Sequence, residues 1–204
     1  PSGSSTAGIY DEFGPITFSE PAELAASTSI VSSNQCTGDC IAAEDLTITG
    51  GTMPYSFDIT SSGGTSTQNL ANGVSSYSFI NLCADNYDIV VTDANGCSTS
   101  PSTTPFNIAP IAPIVPGGAV TVFNLNGYHV SCYGAADGSI IASATGGTGV
   151  FTYSLDGITY QPSNIFSGLT AGIYDVYYKD ANGCIASEQL TLNEPPNLSG
   201  SASV

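Results

Sequence analysis

"GLTAGIYDVYYKDANGC" occupies residues 168–184, and "NLCADNYDIVVTDANGC" occupies residues 81–97. Nine of the 17 positions agree, and the last five are identical. Within 173–180, Tyr174, Val176 and Tyr178 share one face while Asp175, Tyr177 and Lys179 share the other. The upstream copy puts Tyr87, Ile89 and Val91 on the first face and Asp88, Val90 and Thr92 on the second. Side chains alternate across a strand with a period of two. Each copy therefore predicts a strand with its first face in a core, closed by an Asp-Ala-Asn-Gly turn.

The duplication extends outward from there. Cys36 with "TGGT" at 49–52 matches Cys132 with "TGGT" at 145–148, both at an offset of 96. Aromatic alternation follows in each copy, "PYSFDI" at 54–59 and "VFTYSL" at 150–155. The offset falls to 87 at the closing turn, so the first copy holds nine more residues within 60–76, read as a longer loop. Repeat A is placed at 25–112 and repeat B at 119–198, with 113–118 as a Pro/Gly linker. That linker belongs to the proline-rich stretch "PFNIAPIAPIVPGG" (105–118), expected to be a semi-rigid spacer. "TAGIYD" at 6–11 is identical to 170–175, and "FSEPAEL" at 18–24 resembles "LNEPPNL" at 192–198. Residues 1–24 thus read as the C-terminal remnant of a preceding repeat, and 199–204 as the start of a following segment, in a tandem array.

Period-two patterning places strands at 28–33, 41–49, 54–60, 66–70, 77–81, 86–93 and 104–109 in repeat A. In repeat B they fall at 119–125, 138–145, 149–155, 164–167, 172–180 and 185–192. No 10-residue segment shows clean helical spacing. The expected fold class is all-β, tandem antiparallel immunoglobulin-like β-sandwich repeats.

Charge narrows the function. The chain carries 17 acidic residues against one lysine and no arginine, for a net charge of −16. Such a field repels phosphate backbones and anionic lipid heads, which excludes nucleic-acid binding and electrostatic membrane association. No 18-residue apolar run is present to insert into a membrane. A hydrophobic content of 41% with regular β-branched and aromatic runs argues for a folded chain. The opening without a start methionine is expected of a slice of a longer protein.

Six cysteines allow several pairings. Repeat B holds only Cys132 and Cys184, so an internal bond there joins those two. By alignment Cys36 is expected to bond Cys97, leaving Cys40 for Cys83. Free buried thiols, or a metal site of Cys36, Cys40, Cys83 and Cys97, are the competing readings. Disulfides imply an oxidising compartment.

Catalytic groups are sparse. His129 is the sole imidazole and reads as structural or exposed. No Ser/His/Asp order repeats, and "TGGTG" at 145–149 lacks the lysine and following helix of a phosphate cradle. No cofactor is expected, with calcium the one candidate; its ligands would come from Asp85, Asp88, Asp93 and Asp180 beside Asn86, Asn95 and Asn182. The turn role of "DANG" competes directly with that. Asn197 opens an "NLS" glycosylation triplet.

Residues 132–196 carry a leading Cys-x-Gly, "DGSI", "TGGTG", an aromatic pair before "LDG", "F-x-GL-x-AG-x-Y", "D-x-NGC" and a closing "EP". This set resembles the SprB-type repeat of the giant surface adhesins of gliding Bacteroidetes. Repeat A departs from it, lacking "DGSI", reading "AD" for "AG" at 84–85 and adding two cysteines. The resemblance implies an exported cell-surface adhesin or filament, secreted by the type IX route and tied to attachment or gliding motility. It supplies no catalytic residue to carry over. Three non-enzymatic roles follow as expectations. One is a structural array module whose partners are further repeats of the same chain. Another is a module binding surface glycans through Tyr133, Tyr160 and Tyr177. The last is a fibre subunit that meets other copies of itself by strand addition at residues 9–18.

Overall fold

The computed structural model describes residues 20–99, 105–121 and 127–200. Every regular element among them is a β-strand, and every strand pair is antiparallel. Repeat A runs β1 (Ala25–Ser32), β2 (Ala42–Thr49), β3 (Ser56–Ser61), β4 (Gly64–Asn69), β5 (Ser76–Leu82), β6 (Asp85–Thr92) and β7 (Phe106–Ile108). They form two sheets, ordered β1-β2-β5 and β4-β3-β6-β7. The facing sides are built by simple alternation. On β2, Ala42, Leu46 and Ile48 point inward; on β6, Tyr87, Ile89 and Val91 do. Phe57, Tyr77 and Phe79 meet edge to face at 5.0–5.4 Å between ring centroids, and Tyr87 stacks on Phe106 at 5.0 Å. Edge-to-face and offset contacts suit the ring quadrupole and add to the area that aromatic side chains bury.

Repeat B runs β8 (Val115–Pro116), β9 (Ala119–Val120), β10 (Gly138–Ile141), β11 (Ala144–Thr145), β12 (Thr152–Ser154), β13 (Ile165–Leu169), β14 (Gly172–Lys179) and β15 (Ile185–Leu192). Its sheets are ordered β13-β10-β9, β11-β8 and β12-β14-β15. Ile140, Ala142, Val176, Tyr178 and Leu192 form its own buried cluster, separate from that of repeat A. In both repeats a tyrosine hydroxyl reaches back four residues to a backbone carbonyl: Tyr87 to Cys83 at 3.1 Å, Tyr174 to Thr170 at 2.9 Å. This resembles the tyrosine corner of immunoglobulin-like sandwiches.

Two expectations change. The stretch 113–118 is not a free spacer, because Val115–Pro116 pairs with Ala144–Thr145 as an edge strand, where a proline lacking its N–H is tolerated. The nine extra residues of repeat A do not make a longer loop. They extend the hairpin so that β4 pairs with β3 from Ser56↔Asn69 to Ser61↔Gly64. The expected strand over 119–125 is described only to Thr121. The strand pair over 9–18, the echo at 6–11 and residues 201–204 lie outside the described residues.

One polar group interrupts the core of repeat A. Glu44 is 2% exposed on the inward face of β2, and its Oε2 has no hydrogen-bond partner among the described residues. The matching position in repeat B is Ile140, also fully buried. A buried, unpaired hydrogen-bond acceptor costs about 1–3 kcal/mol, and more where it is charged. Glu44→Val, close in volume and suited to a strand, is expected to raise repeat A's stability by about that amount in urea denaturation.

Candidate functional site

The two repeats meet where the closing turn of repeat B abuts the opening loop of repeat A. Asp180 organises that turn. Its Oδ1 accepts the N–H groups of Asn182 and Cys184, each at 2.9 Å, and its Oδ2 accepts the N–H of Thr148 at 2.9 Å. The turn therefore also clamps the "TGGT" loop. Asn182 then donates across the joint to the Gln35 carbonyl at 3.1 Å. Thr37 donates to the Ile111 carbonyl at 2.9 Å. Cys36 and Cys184 are disulfide-bonded, with Cα atoms 5.5 Å apart and a sequence separation of 148.

The "TGGT" loops have a matching role at the joint. Gly147 N–H donates to the Ala112 carbonyl at 3.2 Å, and the side chains of Ile114 and Asp180 both face Gly147. A Cβ at Gly146, whose φ is +74°, would stand 2.0 Å from the Pro113 carbonyl oxygen. Repeat A repeats this arrangement. Gly51 donates to the Ala22 carbonyl at 2.8 Å, the side chains of Leu24 and Asp93 both face Gly51, and a Cβ at Gly50 would stand 1.9 Å from the Glu23 carbonyl oxygen. Each loop is thus a seat for the segment that leads into its own repeat, and only glycine fits beneath it.

The disulfide pattern corrects the sequence-based one. Cys40 bonds Cys83, but Cys36 bonds Cys184 instead of Cys97, and Cys132 does not bond Cys184. Cys97 and Cys132 are free and exposed. The reason is distance. Cys184 precedes β15, whereas the Cys132 loop is tied to the residues that follow β15: His129 N–H donates to the Asn193 carbonyl, Asn193 N–H to His129 Nδ1, and Gly134 N–H to Glu194 Oε2. Eight residues of strand, roughly 27 Å, separate the two ends. One cysteine per pole cannot close within a repeat, but it closes between neighbours. His129 is structural in this arrangement.

Three of the calcium candidates, Asp85, Asp93 and Asp180, accept hydrogen bonds from the chain's own backbone or hydroxyl groups. Asp93 copies Asp180: Oδ1 accepts from Asn95 and Cys97, and Oδ2 from Thr52, all at 2.9 Å. Asp85 accepts from the N–H and hydroxyl of Ser62 and from Asn86. Asp88 is an exposed residue of β6. Among the described residues no group of three or more His, Cys, Asp or Glu side chains is placed to hold a metal ion. Burial opposes the charge on Asp93, yet the N–H groups of Cys97, Thr52 and Asn95 hold its carboxyl below the ordinary value. The hydroxyl and N–H of Ser62 do the same for Asp85, those of Ser131 for Asp137, and the Ser154 hydroxyl with the Ile158 and Thr159 N–H groups for Asp156. A depressed carboxyl binds its proton less readily folded than unfolded, so its stabilisation is complete above about pH 4 and lost as pH falls further. The melting temperature is therefore expected to hold from neutral pH to about pH 4 and drop below it; Asp93→Asn should soften that drop.

The tyrosines proposed for glycan stacking are engaged within repeat B. Lys179 Nζ sits 3.8 Å over the Tyr160 ring centroid, and Tyr177 lies against Gly157. Tyr133 is the exposed one, at 58%. It shares a recess of about 520 Å³ with Tyr128, Cys132, Pro195, Asn197 and Leu198, which places the glycosylation candidate Asn197 there.

Residues 129–159 match the SprB repeat family model, consistent with a SprB-type repeat in the first half of repeat B. No curated protein matches the sequence. Among solved structures, the chain is similar to the C-terminal 282-residue fragment of intimin, solved with the translocated intimin receptor's intimin-binding domain, at TM-score 0.41 and 11% identity. That match covers 85% of this chain and 64% of the fragment. It is also similar to a 1.5-MDa bacterial ice-binding adhesin (TM-score 0.44, 12% identity, 90% and 67% covered). A third likeness is to fibronectin(III)-like modules of Clostridium thermocellum CbhA (TM-score 0.34, 15% identity, 87% and 99% covered).

Proposed function

We propose that the chain is a non-catalytic structural module of an exported cell-surface adhesin or filament. Its job is to transmit position and tension between a cell and a distant adhesive tip. The observation that carries this reading is the joint: two sandwiches meet pole to pole, repeat B seating the chain that leaves repeat A, with a covalent bond across the contact. A protein selected for a catalytic cleft has no need of such a joint, whereas an extended stalk does. The SprB repeat at 129–159 supports the surface placement, and disulfides persist in oxidising compartments outside the cytoplasm. Attachment or gliding motility, with export by the type IX route, is the biological setting proposed.

Two measurements test this. Small-angle scattering should give the long axis of two sandwiches end to end; a compact, near-spherical particle would contradict the stalk. Antibody raised against the chain should label intact cells of the source organism, and labelling only after lysis would contradict the surface placement.

A further inference from the structure

We infer that Cys132 and Cys97 are the two open halves of the same joint, and that each bonds a neighbouring repeat of this kind. Cys132 takes the cysteine of a following repeat's Asp-Ala-Asn-Gly-Cys turn. Cys97 takes the opening-loop cysteine of a preceding one. The inference rests on the array reading above and names the partner of its ends.

The first support is the bond already formed. By the internal alignment Cys132 stands where Cys36 stands, and Cys97 where Cys184 stands. Those counterparts bond each other, between repeats and not within one. The free pair differs from the bonded one in facing no second repeat among the described residues, not in the kind of position it holds.

The second support is the recess beside Cys132. At the formed joint, Cys36, Thr37, Ile111, Ala112 and Ile114 enclose a space of about 210 Å³ together with Asp180 and Cys184 of the next repeat. At the other end Cys132, Tyr133, Pro195, Pro196 and Leu198 take the matching places, and the space is about 520 Å³ because no turn closes it. The third support is the tail. Leu24 and Ile114 each lie against a "TGGT" glycine that also faces the turn aspartate of the repeat they lead into. Leu198, third in that series, is 97% exposed. It has the sequence of a seated residue and lacks only its seat.

The occupant is a repeat continuous with Leu198, not a separate copy of this chain. In a separate copy the seat at Gly50–Gly51 is already filled by Ala22–Leu24. Bond formation is ordinary thiol oxidation. The Cys132 thiolate attacks an oxidant disulfide and expels one thiolate. The partner cysteine's thiolate then attacks the mixed disulfide at the Cys132 sulfur and expels the second. Two protons leave the protein thiols, and two electrons reduce the oxidant disulfide to two thiols.

The test extends the chain after Leu198 with a second copy of residues 115–198, so that Leu198 enters it as Ile114 enters repeat B. The protein is oxidised in a glutathione buffer, alkylated, digested without reduction and mapped by mass spectrometry. The expected result is a bond from Cys132 to the appended cysteine that copies Cys184, with Cys36–Cys184 retained and Cys97 alkylated. In the same chain Cys132→Ser should leave that appended cysteine alkylated while Cys36–Cys184 stays closed, which shows the fold intact. Alkylation of both Cys132 and its expected partner would overturn the inference, as would a bond from Cys132 to Cys184. The unextended chain should stay monomeric under the same oxidation; a ladder joined through Cys97 and Cys132 would overturn the continuous partner. Free thiols here leave the surface-adhesin reading intact, and failure of surface labelling leaves a mapped bond intact, so the two fail separately.

Discussion

Pulled from its ends, the oxidised chain should barely lengthen, and Cys184→Ser should release a large extension. The Cys36–Cys184 bond encloses every strand except β1 and β15, so tension passes across it and bypasses the rest of both sandwiches. Without it, 148 less the 43 still enclosed by Cys40–Cys83 leaves 105 residues free to extend. At about 3.5 Å per residue that is roughly 370 Å of new contour length. Single-molecule force spectroscopy reads this directly, and it should appear in two steps, one per core. The same substitution should leave each repeat folded, because each has its own buried cluster. What it loosens is the joint, which then depends on the Asn182–Gln35 hydrogen bond and the tail seated on Gly147. Equal extension with and without the bond would show that the staple does not shield the repeats.

Removing the second bridge should act on one repeat alone. The double variant Cys40→Ala with Cys83→Ala opens a loop of 43 residues in repeat A. On the chain-entropy description such a loop contributes about 4 kcal/mol by restricting the unfolded chain. Small domains have only about 5–15 kcal/mol to lose, so repeat A should fall near its threshold at physiological temperature. Repeat B has no counterpart of this bridge and serves as the internal control. Urea denaturation followed by tyrosine emission should show repeat A's transition moved to much lower denaturant and repeat B's unmoved. Substituting both cysteines avoids an unpaired thiol that could recruit Cys97 or Cys36.

The strand pattern was legible wherever one face was buried. The alternation in 173–180 and 86–91 placed Val176, Tyr178, Ile89 and Val91 in the core, where they lie. The likeness of 18–24 to 192–198 was legible too, though not its meaning, since the seat beneath Leu24 exists only once Gly50 and Gly51 are folded. Proline and glycine in 113–118 suggested a spacer because the pattern does not tell an edge strand from an extended linker; Pro116 is tolerated in β8 because that strand lies at a sheet edge. The cysteine partners were not legible for a different reason. One pair per repeat fits a bond inside each repeat and a bond between repeats equally well. Deciding between them needs the pole at which Cys132 sits, and that depends on the pairing of His129 with Asn193 across 64 residues.

The most direct measurement is a disulfide map of the unreduced chain at neutral pH. The expected result joins the peptide holding Cys36 to the one holding Cys184, with Cys97 and Cys132 recovered as alkylated thiols. A peptide joining Cys132 to Cys184, or Cys36 to Cys97, would return each bridge to the interior of a single sandwich and remove the stapled joint altogether.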